Sequence, residues 1–333
     1  MAITFYTALD ERYGLFEQSA WGTAPTAGAA YTELHVEPDD IQPGVSLRRP
    51  PRARAQRTEY LPDMQADQKG QEHVFPYKGP FHLEIAAKLL YGVMQNVTES
   101  ATSADGWAKD YSYSSTQPDF TANAGKFFGL CKRMPVASNS KLVSDAIFRN
   151  LLIESKPGEG EDSILMAGGD LVGRAYSAVY NPTGTWTIPT QTNLSFYDNT
   201  TKTLAGTDVV LGDGGWSLNF INNARKIGGS SASFDTFGLG KYSVEVSINL
   251  LWDATTRTAM ASALAGTVET LILEWGTVDT TGHLKFDLDC VWDAAPIESA
   301  EEGTFVTLTG KAGKTSGGSV PEVTLSDGVD RSF

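Results

Sequence analysis

The side chains able to do chemistry are few and scattered. Four histidines, His35, His73, His82 and His283, lie far apart, and none pairs with another at metal-ligand spacing. Two cysteines, Cys131 and Cys290, have neither a CxxC nor a zinc pattern and read as small buried residues. The stretch AGKTS at 312–316 has the ending of a phosphate-binding loop, but the glycine that such a loop needs would fall on Leu308, and a Gly/Ser-rich segment follows instead of a helix. There is no GxSxG, no HExxH and no calcium-loop pattern. No catalytic, metal or cofactor set emerges, and the chain reads as a non-enzyme. Carboxylate pairs for glycoside hydrolysis come from distant strands, which leaves a β-sandwich carbohydrate-binding module or glycan-active enzyme as the alternative.

What remains is one repeated carboxylate. Glu245 lies in GKYSVEVSINLLW (240–252), where Tyr242, Val244, Val246, Ile248 and Leu250 alternate with Ser243, Glu245, Ser247 and Asn249. That is the period of a half-buried strand. GPFHLEIAAKLLY (79–91), 161 positions earlier (240 − 79), matches it, with Glu84 opposite Glu245, His82 opposite Ser243 and Lys88 opposite Asn249. The match predicts two equivalent strands, each with a carboxylate on its polar face.

Other matches follow at drifting offsets. Cys131 falls opposite Cys290, Lys156 and Gly158 opposite Lys311 and Gly313, and Leu34 and Val36 opposite Leu218 and Phe220. These predict two copies of one β-rich module, 1–165 and 166–314, followed by a C-terminal arm or tail at 315–333. Two unrelated modules with similar strands are the alternative. Strands are expected at 32–37, 126–134, 145–154, 174–180, 193–197, 267–275, 283–292 and 304–311, and residues 96–122 read as a polar connection. The clearest helix has Asp253 as N-cap, ATTRTAMASALA as its body and Gly266 as its stop.

With 333 residues, 41% of them hydrophobic, the chain can bury real cores. No apolar run approaches the roughly 20 residues that span a bilayer, and no signal peptide is visible at the N-terminus, so synthesis in the cytoplasm is expected. The net charge is −14: residues 1–160 hold 16 Lys+Arg against 19 Asp+Glu, and residues 161–333 hold 10 against 21. This balance argues against a tight duplex-binding protein. One segment runs the other way, SLRRPPRARAQR, with Arg48, Arg49, Arg52, Arg54 and Arg57. Its prolines make it a loop or an edge. A nucleic-acid patch and a solvated loop are both open, and an inter-subunit contact with acidic surface on another copy fits the charge division best.

The order of these elements resembles the tail tube (major tail) proteins of tailed bacteriophages. The resemblance rests on YGLFEQSAWGT near the N-terminus, on KGQEHVFPYKGPFHLEIAAKLL and on FDTFGLGKYSVEVSINLLW, and it covers roughly residues 10–312. It implies tandem, mainly β sandwich or barrel modules, each with a flanking helix, whose strands join those of neighbouring subunits in an inner barrel. It also implies a virion location in the tail, in rings stacked into a tube through which viral DNA leaves. Three chains with pseudo-sixfold symmetry, or six chains, would form each ring. Tape-measure, terminator and distal tail proteins would be partners, with DNA only passing through. Glu84, Glu245, Ser243, Ser247, Asn249, His82 and Lys88 would then face the lumen. The departure from the family is length, since many tube subunits carry one such module.

Overall fold

The computed structural model describes residues 11–23, 25–35, 44–45, 72–158, 163–189, 192–228, 234–293, 297–300, 303–314 and 320–329. The first part of the chain forms β1 (Arg12–Glu17), β2 (Tyr31–Leu34), β3 (Gly44–Val45), β4 (His73–Pro80), α1 (Leu83–Met94), β5 (Gln95–Glu99), β6 (Lys109–Tyr113), β7 (Phe128–Arg133), β8 (Ser140–Ser155) and β9 (Met166–Tyr180). Short strands β10 (Trp186–Thr187), β11 (Asn199–Leu204) and β12 (Thr207–Asp208) lead to β13 (Leu211–Ile221), a small hairpin of β14 (Arg225–Ile227) and β15 (Thr236–Gly238), and β16 (Ser243–Leu251). After α2 (Ala254–Ala265) come β17 (Val268–Trp275), β18 (His283–Asp293), β19 (Ile297–Ala300), β20 (Gly303–Ala312) and β21 (Glu322–Ser326).

The fold is mainly β, and among the described residues, apart from the β14–β15 hairpin, the strands form one hydrogen-bonded sheet that does not close into a barrel. The long strand β8 is the hinge of the topology. One edge of it pairs with β9 along most of its length; the other pairs first with β7, through Lys141–Ala146, and then with β13, through Asn150–Ser155. Beyond β13 the antiparallel neighbours are β16, β20, β18, β17 and β11 in turn, while β4 lies outside β9. The predicted boundary at 165/166 therefore does not interrupt the sheet, because the β8–β9 pairing runs across it. The expected C-terminal arm is likewise partly built in. Its segment β21 is a strand between β18 and β6, with Val323 and Leu325 buried, since alternating apolar residues find a vacant sheet edge there.

The largest correction concerns residues 79–91. His73–Pro80 is a strand, but Leu83–Met94 is a helix, so the segment is not a second copy of β16. Strict alternation fails at Ala86-Ala87, and the only side chains left partly exposed are those of Glu84, Lys88 and Tyr91, spaced i, i+4, i+7 on one helical stripe. The rest of α1 is apolar and buried, so the helix lies inside the core against β8, β5, β6, β13 and β21. Gly92 lets it approach the Phe148 and Phe128 rings, and Gln95 ends it in the left-handed conformation at φ 66°. What does recur is a strand, a two-residue link and a twelve-residue helix: β4 to α1, and β16 to α2, with the helix starts 171 apart (254 − 83).

Helix α2 has the predicted ends. Asp253 Oδ1 accepts from Thr256 N at 2.9 Å, and Gly266 at φ +71° lets Thr267 N reach the Ser262 carbonyl at 2.9 Å. Unlike α1 it sits on the outside, resting on β17 and β18 through Ala259 and Met260. Two other expectations change. Residues 193–197 lead into a 3₁₀ turn, Phe196–Asp198, held by reciprocal Ser195 and Asp198 bonds in place of a strand. The 96–122 connection contains the β5–β6 hairpin, whose loop is tied down by Asp279, whose carboxylate accepts from Ser103 Oγ and from Ala104 N at 2.6 Å.

Candidate assembly surface

Strand β16 has two unlike faces. Val244, Val246, Ile248 and Leu250 are buried against Leu218 and Phe220 of β13 and Val306 and Leu308 of β20. At about 2 kcal/mol for each fully buried branched side chain, this face fixes the register. A one-residue slip would expose all four.

The opposite face carries its polar and charged groups on the middle strands, and it is wide because β16 lies mid-sheet. Pairing registers place Lys78, Gly168, Leu152, Asn219, Glu245, Lys311, Val291 and Val268 in one row across β4, β9, β8, β13, β16, β20, β18 and β17. All eight retain solvent exposure, full or partial. Eight strands at about 4.8 Å spacing make a face roughly 34 Å across. Glu245 sits near its middle, exposed, accepting from Asn219 Nδ2 at 3.4 Å and lying 3.8 Å from Lys311 Nζ. These are long contacts on an open surface, worth about 0–1 kcal/mol each, so the carboxylate is held but not consumed by the fold.

The other residues expected on this face divide. Ser243 and Ser247 lie on it, partly exposed. Asn249 belongs to the same strand face but is buried: Gly212 and Gly214 leave room for its side chain, which accepts from Gly214 N at 3.3 Å and donates to Thr307 Oγ1 at 3.0 Å. It closes the irregularity in the β13–β16 register. Three residues are elsewhere, because they belong to α1 and its entry. Glu84 is in the first helical turn, where it accepts from Thr192 Oγ1 at 2.6 Å and favours the positive end of the helix dipole. Lys88 donates to Thr32 Oγ1. His82 is the N-cap residue and is buried edge-on to His35, with ring centroids 5.2 Å apart. Burial pushes the His82 imidazole pKa down, and the neighbouring His35 adds to it. Glu84 and Glu245 are therefore not equivalent, and a ring of paired carboxylates from both does not form on one face. Arg48, Arg49, Arg52, Arg54 and Arg57 lie outside the described residues.

Among the described residues lie two hollows lined by polar groups. One, of about 450 Å³, is lined by Asp110, Glu274, His283, Lys285 and Glu322 among others. Glu322 has its pKa raised by burial and by the carboxylates of Asp110 and Asp287. No tryptophan lines this hollow, so it lacks the aromatic platform expected of a glycan cleft. The other opens at the Ser243 end of β16 beside Tyr242, which stacks on Tyr113 at 4.3 Å. Cys131 and Cys290 are buried free thiols, as expected from their setting, and burial raises the pKa of each. Among the described residues no cluster of His, Cys, Asp and Glu could hold a metal, and no helix is long and apolar enough to cross a membrane.

Comparison with known proteins finds no protein-family model and no curated protein that matches the chain.

Proposed function

We propose that the chain is the structural subunit of a bacteriophage tail tube, assembling with copies of itself into stacked rings that conduct viral DNA. The observation that carries the reading is the exposed sheet face centred on Glu245, about 34 Å wide, polar over β13, β16 and β20 and backed by a buried apolar face. Catalytic sites and ligand sites are concave, with polar groups converging on a small volume. A broad exposed sheet face suits the wall of an aqueous bore. Glu245 there repels phosphate and partly neutralises Lys311 beside it, while Lys78 sits at the far side of the row on β4. Among the described residues β5 and β12 each pair along one edge, and neighbouring subunits would cover the other.

In this reading a ring contains three chains, or six. The protein belongs to the virion tail, and its partners are the tape-measure, terminator and distal tail proteins. The test is direct: purified protein raised in concentration is examined by negative-stain microscopy and sedimentation. Hollow tubes or stacked rings are expected. A protein that stays monomeric at every concentration, and with the arginine segment intact, overturns the reading.

A further inference from the structure

The two ends of β16 differ in shape and charge. At the Ser243 end a groove of about 610 Å³ opens between the 113–117 loop, the 239–243 turn and the ends of β17, β18 and β20. Its floor carries Val268 and Val291, directly opposite each other in the β17–β18 register and 47% and 44% exposed. Its rim carries Lys241 and Lys314, both exposed and neither in an ion pair among the described residues, whereas Lys311 is engaged by Glu245. Asp289, also in the lining, already accepts from Thr270 Oγ1 at 2.7 Å. Two uncommitted cations over an apolar floor are notable in a chain with 26 basic and 40 acidic residues.

At the Leu251 end the sign is reversed. The connection from β12 to β13 presents Val210, 56% exposed, between the exposed carboxylates of Asp208 and Asp213. This knob is anchored: the Val210 carbonyl accepts from Leu251 N at 2.9 Å, Val209 is buried beneath it, and Val209 N donates to the Lys202 carbonyl at 2.9 Å. Neither Asp208 nor Asp213 has an ion pair among the described residues. Nine residues of β16 separate knob from groove, about 27 Å along the strand.

We propose that the groove of one copy takes the Asp208–Asp213 knob of the next, with Val210 against Val268 and Val291 and the two aspartates facing Lys241 and Lys314. The inference rests on the self-assembly read above and gives it a direction, along the β16 axis. Groove and knob are different surfaces at opposite ends of β16, so copies stacked end to end in one orientation meet groove to knob, a heterologous contact. Each added copy leaves one groove and one knob free, which is the geometry of open-ended growth. Elsewhere, a chain with net charge −14 repels its own copies, so the basic rim also selects where they meet.

Charge reversal with mixing tests it. Sedimentation velocity at fixed salt gives the concentration at which the wild type assembles. The groove variant (Lys241→Glu with Lys314→Glu) and the knob variant (Asp208→Lys with Asp213→Lys) should each raise that concentration by about tenfold or more. An equimolar mixture should restore assembly, because each variant then meets its opposite charge. Restoration cannot come from misfolded chains. Should a reversed variant melt early, the neutral pair Lys241→Gln and Lys314→Gln replaces it and should still weaken assembly. Wild-type assembly with variants that assemble equally well, or with variants that fail and are not restored by mixing, overturns the groove–knob pairing and leaves self-assembly standing. A wild type that never assembles overturns both.

Discussion

Replacing Gly92 by alanine should destabilise the protein, although glycine to alanine inside a helix ordinarily helps. In an exposed helix the change gains about 1 kcal/mol through propensity. Here a Cβ on Gly92 would stand 2.6 Å from a Phe148 ring carbon and 2.8 Å from one of Phe128, against an ordinary contact of at least 3.4 Å. Both rings are fully buried and lie edge-on to each other at 6.2 Å, so neither can swing aside cheaply. Overpacking of this kind costs about 1–3 kcal/mol, which exceeds the propensity gain and leaves a net loss of about 1 kcal/mol. The assay is urea unfolding followed by circular dichroism, where the midpoint should fall without a change in slope. Shrinking the obstacle supplies the control. In a Phe148→Leu background the same glycine substitution should become neutral or favourable, a coupling of at least about 1 kcal/mol. An alanine variant as stable as the wild type, or more so, in the unaltered background would refute the seating of α1 on these rings.

Asp253→Ala removes the N-cap bond to Thr256 and should cost about 1 kcal/mol, seen as earlier hydrogen exchange in α2 with little change in α1. Acidification below about pH 6.5 should weaken the fold. The pKa values of His82 and His73 are lowered by burial, so the unfolded chain binds more protons than the folded one in that range, and stability is full above the ordinary histidine pKa and falls below it. His82→Gln should flatten the pH dependence of the melting temperature, and an unchanged slope would count against this. Glu245→Lys should leave the melting temperature within the range of an exposed pair, about 0–1 kcal/mol, because its contacts are long and solvent-facing. Tubes should still form with it, while DNA release from particles carrying it slows; normal release would speak against a bore-facing position.

The sequence pattern exposed most of the strands, because alternation over one buried face is local information. β7, β8, β9, β17, β18 and β20 stand near their expected positions, and the α2 caps could be read from Asp253 and Gly266 alone. Residues 79–91 misled because Phe81, Leu83 and Ile85 alternate for three residues before Ala86-Ala87, and because a helix buried nearly all round has no broad polar face to announce its period. The informative signal was the stripe of Glu84, Lys88 and Tyr91. Within the candidate surface, Glu245, Ser243 and Ser247 were legible from β16 itself. Their partners Asn219 and Lys311 were not, since register across β13 and β20 is set by non-local packing. Nor was the burial of Asn249, which depends on the glycines of β13. The link between β21 and β6 was hidden by the Gly/Ser-rich run before it.

Helical reconstruction of the assembled protein by electron cryomicroscopy tests the central claim most directly. The account predicts a hollow tube whose inner wall is the β16 face, with Glu245 and Ser247 lining the bore and Val246 and Ile248 within the wall. A tube with Glu245 on its outer surface, or an assembly without a bore, would contradict it.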